Sequence, residues 1–133
     1  MTAPPITGVH HLKLPVSDLP RSRRWYESVL GLRVQREFHD DDGSLGGVAG
    51  TLTDPHGATV IAVALRHNPT AAAGMSGFDP LALAVPDHTA LRTWVEHVTA
   101  LGWPAPATSP DGTVLFLHDP DGLEIRLFSP HHQ

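Results

Sequence analysis

Two stretches of this chain read alike, and that internal repeat limits its possible folds more than any other feature. Val9 to Asp18 (VHHLKLPVSD) aligns with Phe78 to Asp87 (FDPLALAVPD) at an offset of 69 residues. Each is an alternating apolar run ending in a short acidic turn. Each leads into a helical pattern closed by glycine: Arg21 to Leu30 before Gly31, and His88 to Leu101 before Gly102. Asp54-Pro55-His56-Gly57 returns 65 residues later as Asp119-Pro120-Asp121-Gly122. Both are tight turns between strands, with proline presetting φ and glycine free to take a positive φ. The pattern predicts an α+β fold of tandem βαβββ units. One domain spans 1–133, with a first unit at about 6–67, a connector at about 68–77 and a second unit at about 78–130.

The helices fit this scheme. Leu91, Trp94, Val95, Val98 and Leu101 form one apolar stripe, with Asp87 as N-cap and Gly102 closing the end. Trp25, Tyr26, Val29 and Leu30 form the other, capped by Asp18, with Pro20 tolerated in the first turn. Arg21, Arg23 and Arg24 read as a solvated helix face. Trp25, Trp94 and Trp103 read as core or interface aromatics, and Asp40-Asp41-Asp42 with Gly43 as a hairpin turn.

Composition then removes whole classes of function. There is no cysteine, which excludes disulfide scaffolds, thiolate metal sites and thiol nucleophiles. Lys and Arg number 9 against 14 Asp and Glu, a net charge of −5 without the basic stripe that nucleic acid demands. The longest strongly apolar run, Ala58 to Leu65, is eight residues, against the roughly 20 of a membrane helix. No export signal is visible at the start, so the expectation is a soluble cytoplasmic protein with neither nucleic-acid nor membrane partners.

Four motifs in order now carry a resemblance: His11 with Val16-Ser17-Asp18-Leu19; Trp25-Tyr26 through Leu30-Gly31-Leu32; Phe78-Asp79-Pro80 through Val85; and Asp119-Pro120-Asp121-Gly122 through Phe128. Over about residues 6 to 130 the chain resembles the vicinal oxygen chelate superfamily. That family includes glyoxalase I, methylmalonyl-CoA epimerase, extradiol dioxygenases, fosfomycin-resistance transferases and bleomycin-binding proteins. The resemblance implies a curled mixed sheet, a cup with helices outside and a ligand site within. It also implies metal ligands at four positions, which in this chain are His11, a position near Ala62, Pro80 and Arg126. Proline and alanine offer no side-chain donor and a guanidinium repels a cation. No cofactor is therefore expected. A divalent metal would need a relocated set built on His11 and Glu124, with His10 or His118.

Strand parity supplies the contents of the cup. Leu12, Leu14 and Val16 share one face while His11, Lys13 and Pro15 share the other; elsewhere Leu81, Leu83 and Val85 oppose Pro80, Ala82 and Ala84. Ile125 and Leu127 oppose Glu124, Arg126 and Phe128, and Ile61, Val63 and Leu65 oppose Val60, Ala62, Ala64 and Arg66. The aliphatic rows fit packing against helices. The cup is then floored by Ala62, Ala64, Ala82 and Ala84 and rimmed by His11, Lys13, Glu124 and Arg126, with Phe128 and Phe116 as apolar walls. Ligand-binding candidates are thus His11, Lys13, Ala62, Ala64, Pro80, Ala82, Glu124, Arg126 and Phe128. His11 is the candidate acid or base. Glu124 is either its carboxylate partner or the counter-charge to Arg126, and the pair equally fits a structural polar patch with Lys13. By parity His10 packs on the helix side. His39, His56, His67, His88, His97, His131 and His132 fall in loops, helix faces or the tail, exposed to solvent.

Three readings stand. The first is a small-molecule binding or sequestering protein with a degenerate metal site. The second is an enzyme of lyase, isomerase or dioxygenase type, with a relocated metal or metal-free His11 chemistry. The third is a structural or regulatory dimer. A homodimer is expected in each case, because curled sheets leave edges and apolar rims for a two-fold mate.

Overall fold

The computed structural model describes residues 2–130. His131 and His132 lie outside the described residues. Eleven elements follow one another: β1 (Leu12–Val16), α1 (Leu19–Val29), β2 (Arg33–His39), β3 (Leu45–Thr53), β4 (Thr59–His67), α2 (Pro69–Ala73), β5 (Leu81–Ala84), α3 (His88–Ala100), β6 (Ala107–Thr108), β7 (Val114–His118) and β8 (Glu124–Phe128). The first sheet runs β1-β4-β3-β2 and the second β5-β8-β7-β6. In each, the opening strand pairs in parallel with the last strand of its unit and the remaining pairs are antiparallel. This is the α+β duplication that the sequence repeat demands.

The local chemistry explains the boundaries. Asp18 and Asp87 accept hydrogen bonds from the backbone N–H of Arg21 and Ala90, three residues into α1 and α3. Gly31 and Gly102 follow the helix ends at φ 74° and 90°, the left-handed region in which a Cβ is strained. The connector contains a helix that the Ala- and Pro-rich composition did not announce: Asn68 caps α2 through the N–H of Ala71, with Pro69 in its first turn.

The aliphatic rows bury as parity requires. Leu14, Val16, Val63, Leu65, Leu81, Val85, Ile125 and Leu127 join Trp25, Tyr26, Val29, Leu91 and Val98 in one apolar cluster drawn from both units. Trp94 is partly buried against that cluster, whereas Leu101 and Trp103, at the end of the α3 stripe, are exposed. Polar contacts tie the units together on the same side. The Tyr26 hydroxyl donates to Asp119 Oδ2 at 2.8 Å, and the Ser17 N–H and hydroxyl both donate to Asp121. Arg21 Nη2 donates to the Pro120 carbonyl at 2.9 Å. His97 Nε2 lies 3.0 Å from the carbonyls of Ser28 and Val29, at the C-terminal end of α1.

Candidate functional site

With the leucines and valines of both sheets turned toward the shared core, each sheet presents its other face outward. On the first sheet that face is built in transverse rows by the strand register. One row runs Lys13, Ala64, Ala49, Arg36 across β1, β4, β3 and β2. The adjacent row runs Pro15, Arg66, Gly47, Phe38. Ala64 and Ala49 in the middle of the first row and Gly47 in the second leave a cavity of about 540 Å³, floored by Gly47, Ala49, Thr51, Ala62 and Ala64. Its rim holds His10, His11, Lys13, Arg36 and Arg66, and no carboxylate lines it. The volume lies within the range of small-molecule sites.

The rim has its own contacts. His10 Nδ1 and His11 Nδ1 are 2.9 Å apart, so one imidazole donates to the other. His10 is exposed rather than packed on the helix side, because β1 begins at Leu12 and the alternation does not reach back to it. The Arg36 guanidinium stacks 5.1 Å from the centre of the Phe38 ring, and Arg66 Nη2 donates to Asp40 at 2.9 Å.

The second sheet's outer face carries the rest of the expected set, and none of it lines this cavity. Ala82, Arg126 and Phe116 form one row, Ala84, Phe128 and Val114 the next, and Glu124 lies opposite His118. Glu124 neutralises Arg126 rather than serving His11: Arg126 Nε donates to Glu124 Oε2 at 2.7 Å, and Asp79 lies 3.4 Å from the same nitrogen. His118 Nε2 lies 3.1 Å from the other Glu124 oxygen. The hydrogen bond from Arg126 chiefly holds the Glu124 carboxyl below the usual range; burial opposes this and His118 reinforces it. The Arg126 guanidinium stands 5.3 Å from the Phe116 ring. Pro80 sits half-buried just before β5, and Phe128 is 39% exposed. Of the expected residues the fold therefore unites His11, Lys13, Ala62 and Ala64 in one hollow. It sets Pro80, Ala82, Glu124, Arg126 and Phe128 on another face, and Lys13 is not part of the Glu124–Arg126 pair. Among the described residues, those that line the cavity all belong to the first unit.

Arg66 lines the hollow on the face that the parity of β4 gives it, and Arg36, Phe38 and Ala49 joined without having been singled out. The signal was the alternation of β2 and β3, obscured by the irregularity between Val34 and Arg36 that shifts the register. Among the described residues no group of three His, Asp or Glu side chains is placed to hold a metal ion. No helix among them is long and apolar enough to cross a membrane.

The profile of the Glyoxalase/Bleomycin resistance protein/Dioxygenase superfamily matches residues 8–127. The chain belongs to that superfamily. Solved structures agree on the fold. A fosfomycin resistance protein FosX from Listeria monocytogenes, complexed with Mn(II) and 1S,2S-dihydroxypropylphosphonic acid, superposes with a TM-score of 0.70 at 15% identity, covering 95% of this chain and 94% of that one. TnmS3, an antibiotic binding protein from Streptomyces sp. CB03234, gives 0.68 at 22% identity over 95% and 98%. A glyoxylase/bleomycin resistance protein/dioxygenase domain from Frankia sp. EAN1pec gives 0.67 at 20% identity over 96% and 95%. Comparison with curated proteins gives no match.

Proposed function

We propose that this superfamily member binds an organic small molecule in the hollow of its first sheet, and that a second copy of the chain closes the hollow. The observation that carries the reading is the cavity of about 540 Å³ over an alanine and glycine floor. A concave surface of this size, mostly apolar and carrying a few polar groups at its edge, has the form of a small-molecule site. An antibiotic-binding protein of the same fold is in keeping with this.

The donor set does not suit the divalent metal that the family's enzymes use. Of the four positions that the family resemblance gives to ligands, His11 alone bears a donor, while Ala62 and Pro80 have none and Arg126 is a cation bound to Glu124. Glu124 is thereby committed within its own sheet. The chemistry of the hollow is that of binding by shape and charge.

The dimer rests on what each chain leaves uncovered. The hollow is open on the side away from its sheet. The second sheet's outer face offers Phe128, Phe116 and the small Ala82 and Ala84, a surface suited to roof it. Such a partner would supply Pro80, Ala82 and Phe128 to a cup whose other half holds His11 and Lys13.

The test joins the two parts. Sedimentation should give a dimer at micromolar concentration, and a panel of neutral, anionic and cationic bicyclic aromatics should raise Tm saturably for at least one member. Phe128→Glu should dissociate the dimer and abolish that stabilisation together. A stable monomer, or a panel with no stabilising member, overturns the reading.

A second reading has one observation of its own. The His10–His11 contact at the rim resembles an imidazole pair that could pass a proton to a bound molecule. Chemical change of a bound ligand, lost in His11→Gln with affinity retained, would favour it.

A further inference from the structure

We infer that the ligand is an organic anion with an apolar body, its charge held between Lys13 and Arg36. The inference rests on the reading of the hollow as a ligand site and names the class of molecule it selects.

The geometry comes from one row of the sheet. Lys13 and Arg36 stand at its two ends, on the outer strands β1 and β2, with Ala64 and Ala49 between them. Three inter-strand steps separate their backbones by about 14 Å. Two long flexible side chains can converge across a span of that size, over the two alanine methyls that lie between them. Both line the same cavity.

Among the three cations that line the cavity, charge accounting isolates this pair. Arg66 is neutralised by Asp40. Arg23 takes Glu27 and Glu37, and Arg126 takes Glu124 and Asp79. Neither Lys13 nor Arg36 is in an ion pair among the described residues, and no acidic side chain lines the cavity they share. In a chain of net charge −5, a hollow whose charged lining groups are all cations runs against the molecule's own field. Local charge in a cleft outweighs distant net charge in choosing a ligand. The two acids on the second sheet that a covering copy would bring are already held by Arg126, so they leave Lys13 and Arg36 available. Phe38, stacked under Arg36, adds an aromatic wall beside the charge.

Three isosteric probes test the inference: 2-naphthoate, neutral 2-naphthamide and cationic 2-naphthylmethylammonium, titrated calorimetrically into the full chain. We expect the naphthoate to bind at least tenfold more tightly than the amide, and the ammonium most weakly. The double substitution Lys13→Gln with Arg36→Gln should bring the naphthoate-to-amide ratio close to one. A far-UV circular dichroism spectrum and a cooperative unfolding transition like those of the wild type report that the variant is folded. Lys13→Arg should keep the preference. Equal binding of naphthoate and amide to the wild type, tighter binding of the ammonium, or a preference that survives the double substitution would overturn the anion inference and leave the hollow as a binding site. Failure of all three probes to bind would overturn both.

Discussion

Tyr26 on α1 donates its hydroxyl to Asp119 in the β7–β8 turn at 2.8 Å, joining residues 93 positions apart at the seam between the two repeats. The tyrosine is almost wholly buried, at 1% exposure, and Asp119 at 5%. Asp119 Oδ1 also accepts from the N–H of Asp121 and Leu123, shaping the turn while Oδ2 holds the helix. Removing the hydroxyl leaves a buried carboxyl oxygen without its donor. Tyr26→Phe should therefore cost about 1–3 kcal/mol of unfolding free energy, read as a lower urea midpoint with an unchanged slope. A midpoint equal to the wild type would mean that the contact contributes nothing net.

The same carboxyl makes stability depend on pH with a definite sign. Burial pushes the Asp119 pKa above the usual carboxylate range and the nearby Asp121 charge adds to it, although the hydrogen bonds from Tyr26, Asp121 and Leu123 pull the other way. The folded state then holds the proton more tightly than the unfolded chain. This contribution is fully present below the unfolded value of about 3.9, and it is lost as pH rises through the higher folded value. Glu124 acts oppositely, since its lowered pKa gives stability above its unfolded value that is lost on acidification. The two are separated by comparing wild type with Asp119→Asn. The advantage of wild type over the variant should shrink as the pH of urea denaturation is raised from about 3.5 to about 6.5. A growing advantage would mean that the hydrogen bonds outweigh burial.

A third prediction concerns the backbone beneath the hollow. A Cβ built on Gly50 would lie 2.2 Å from the Arg33 carbonyl oxygen and 2.9 Å from Val34 Cα. The close approach coincides with the irregular register between β2 and β3, where Val34 pairs with Gly50 and Arg36 with Ala49. Neither contact is with a flexible side chain. Gly50→Ala should force the strands apart and cost upwards of about 3 kcal/mol, measured by thermal or urea unfolding. Because β2 carries Arg36, any folded fraction should also bind 2-naphthoate more weakly.

Which parts of this fold could be read in advance follows from the range of the interactions involved. Alternation within a strand is local, so the buried rows Leu14–Val16 and Ile125–Leu127 and the outward Lys13, Ala62 and Arg126 follow from parity alone. The caps Asp18 and Asp87 are equally local. The placement of one sheet's hollow relative to the other's is not. It is fixed by how α1 and α3 share the core and by contacts such as Tyr26–Asp119, which no spacing rule connects. Hence His11 and Arg126 each face outward on their own sheet, yet they do not meet within one chain. His10 marks the other limit: a period-2 pattern carries no information past the residue where the strand begins.

The floor of the hollow allows binding to be separated from folding. Ala62 is half-buried on the cavity side of β4, opposite Thr51, and is not part of the apolar cluster behind the sheet. Ala62→Leu would extend into open volume, so it should change the unfolding free energy by less than about 1.5 kcal/mol. It should nevertheless weaken 2-naphthoate binding at least tenfold. Retained affinity would place the probe elsewhere on the protein.

The last prediction uses the second sheet, where Arg126 holds Glu124 and Asp79 while His118 holds the other Glu124 oxygen. Replacing that guanidinium with a carboxylate removes the cation that unites them and leaves several acids on one face with an imidazole beside them. Adding an imidazole at the half-buried position just before β5 supplies a second nitrogen donor. The double substitution Arg126→Glu with Pro80→His should therefore give this face an affinity for Mn(II) well above that of the wild type. The unloaded variant should be less stable than wild type through like-charge repulsion, and Mn(II) should restore Tm in a concentration-dependent way because it binds only the folded face. Calorimetry of the double variant against Arg126→Glu alone isolates the contribution of the imidazole. If the double variant gives no heat and no rise in Tm, residues 80 and 126 do not converge, and the ligand positions that the family resemblance assigns to them in this chain are wrong.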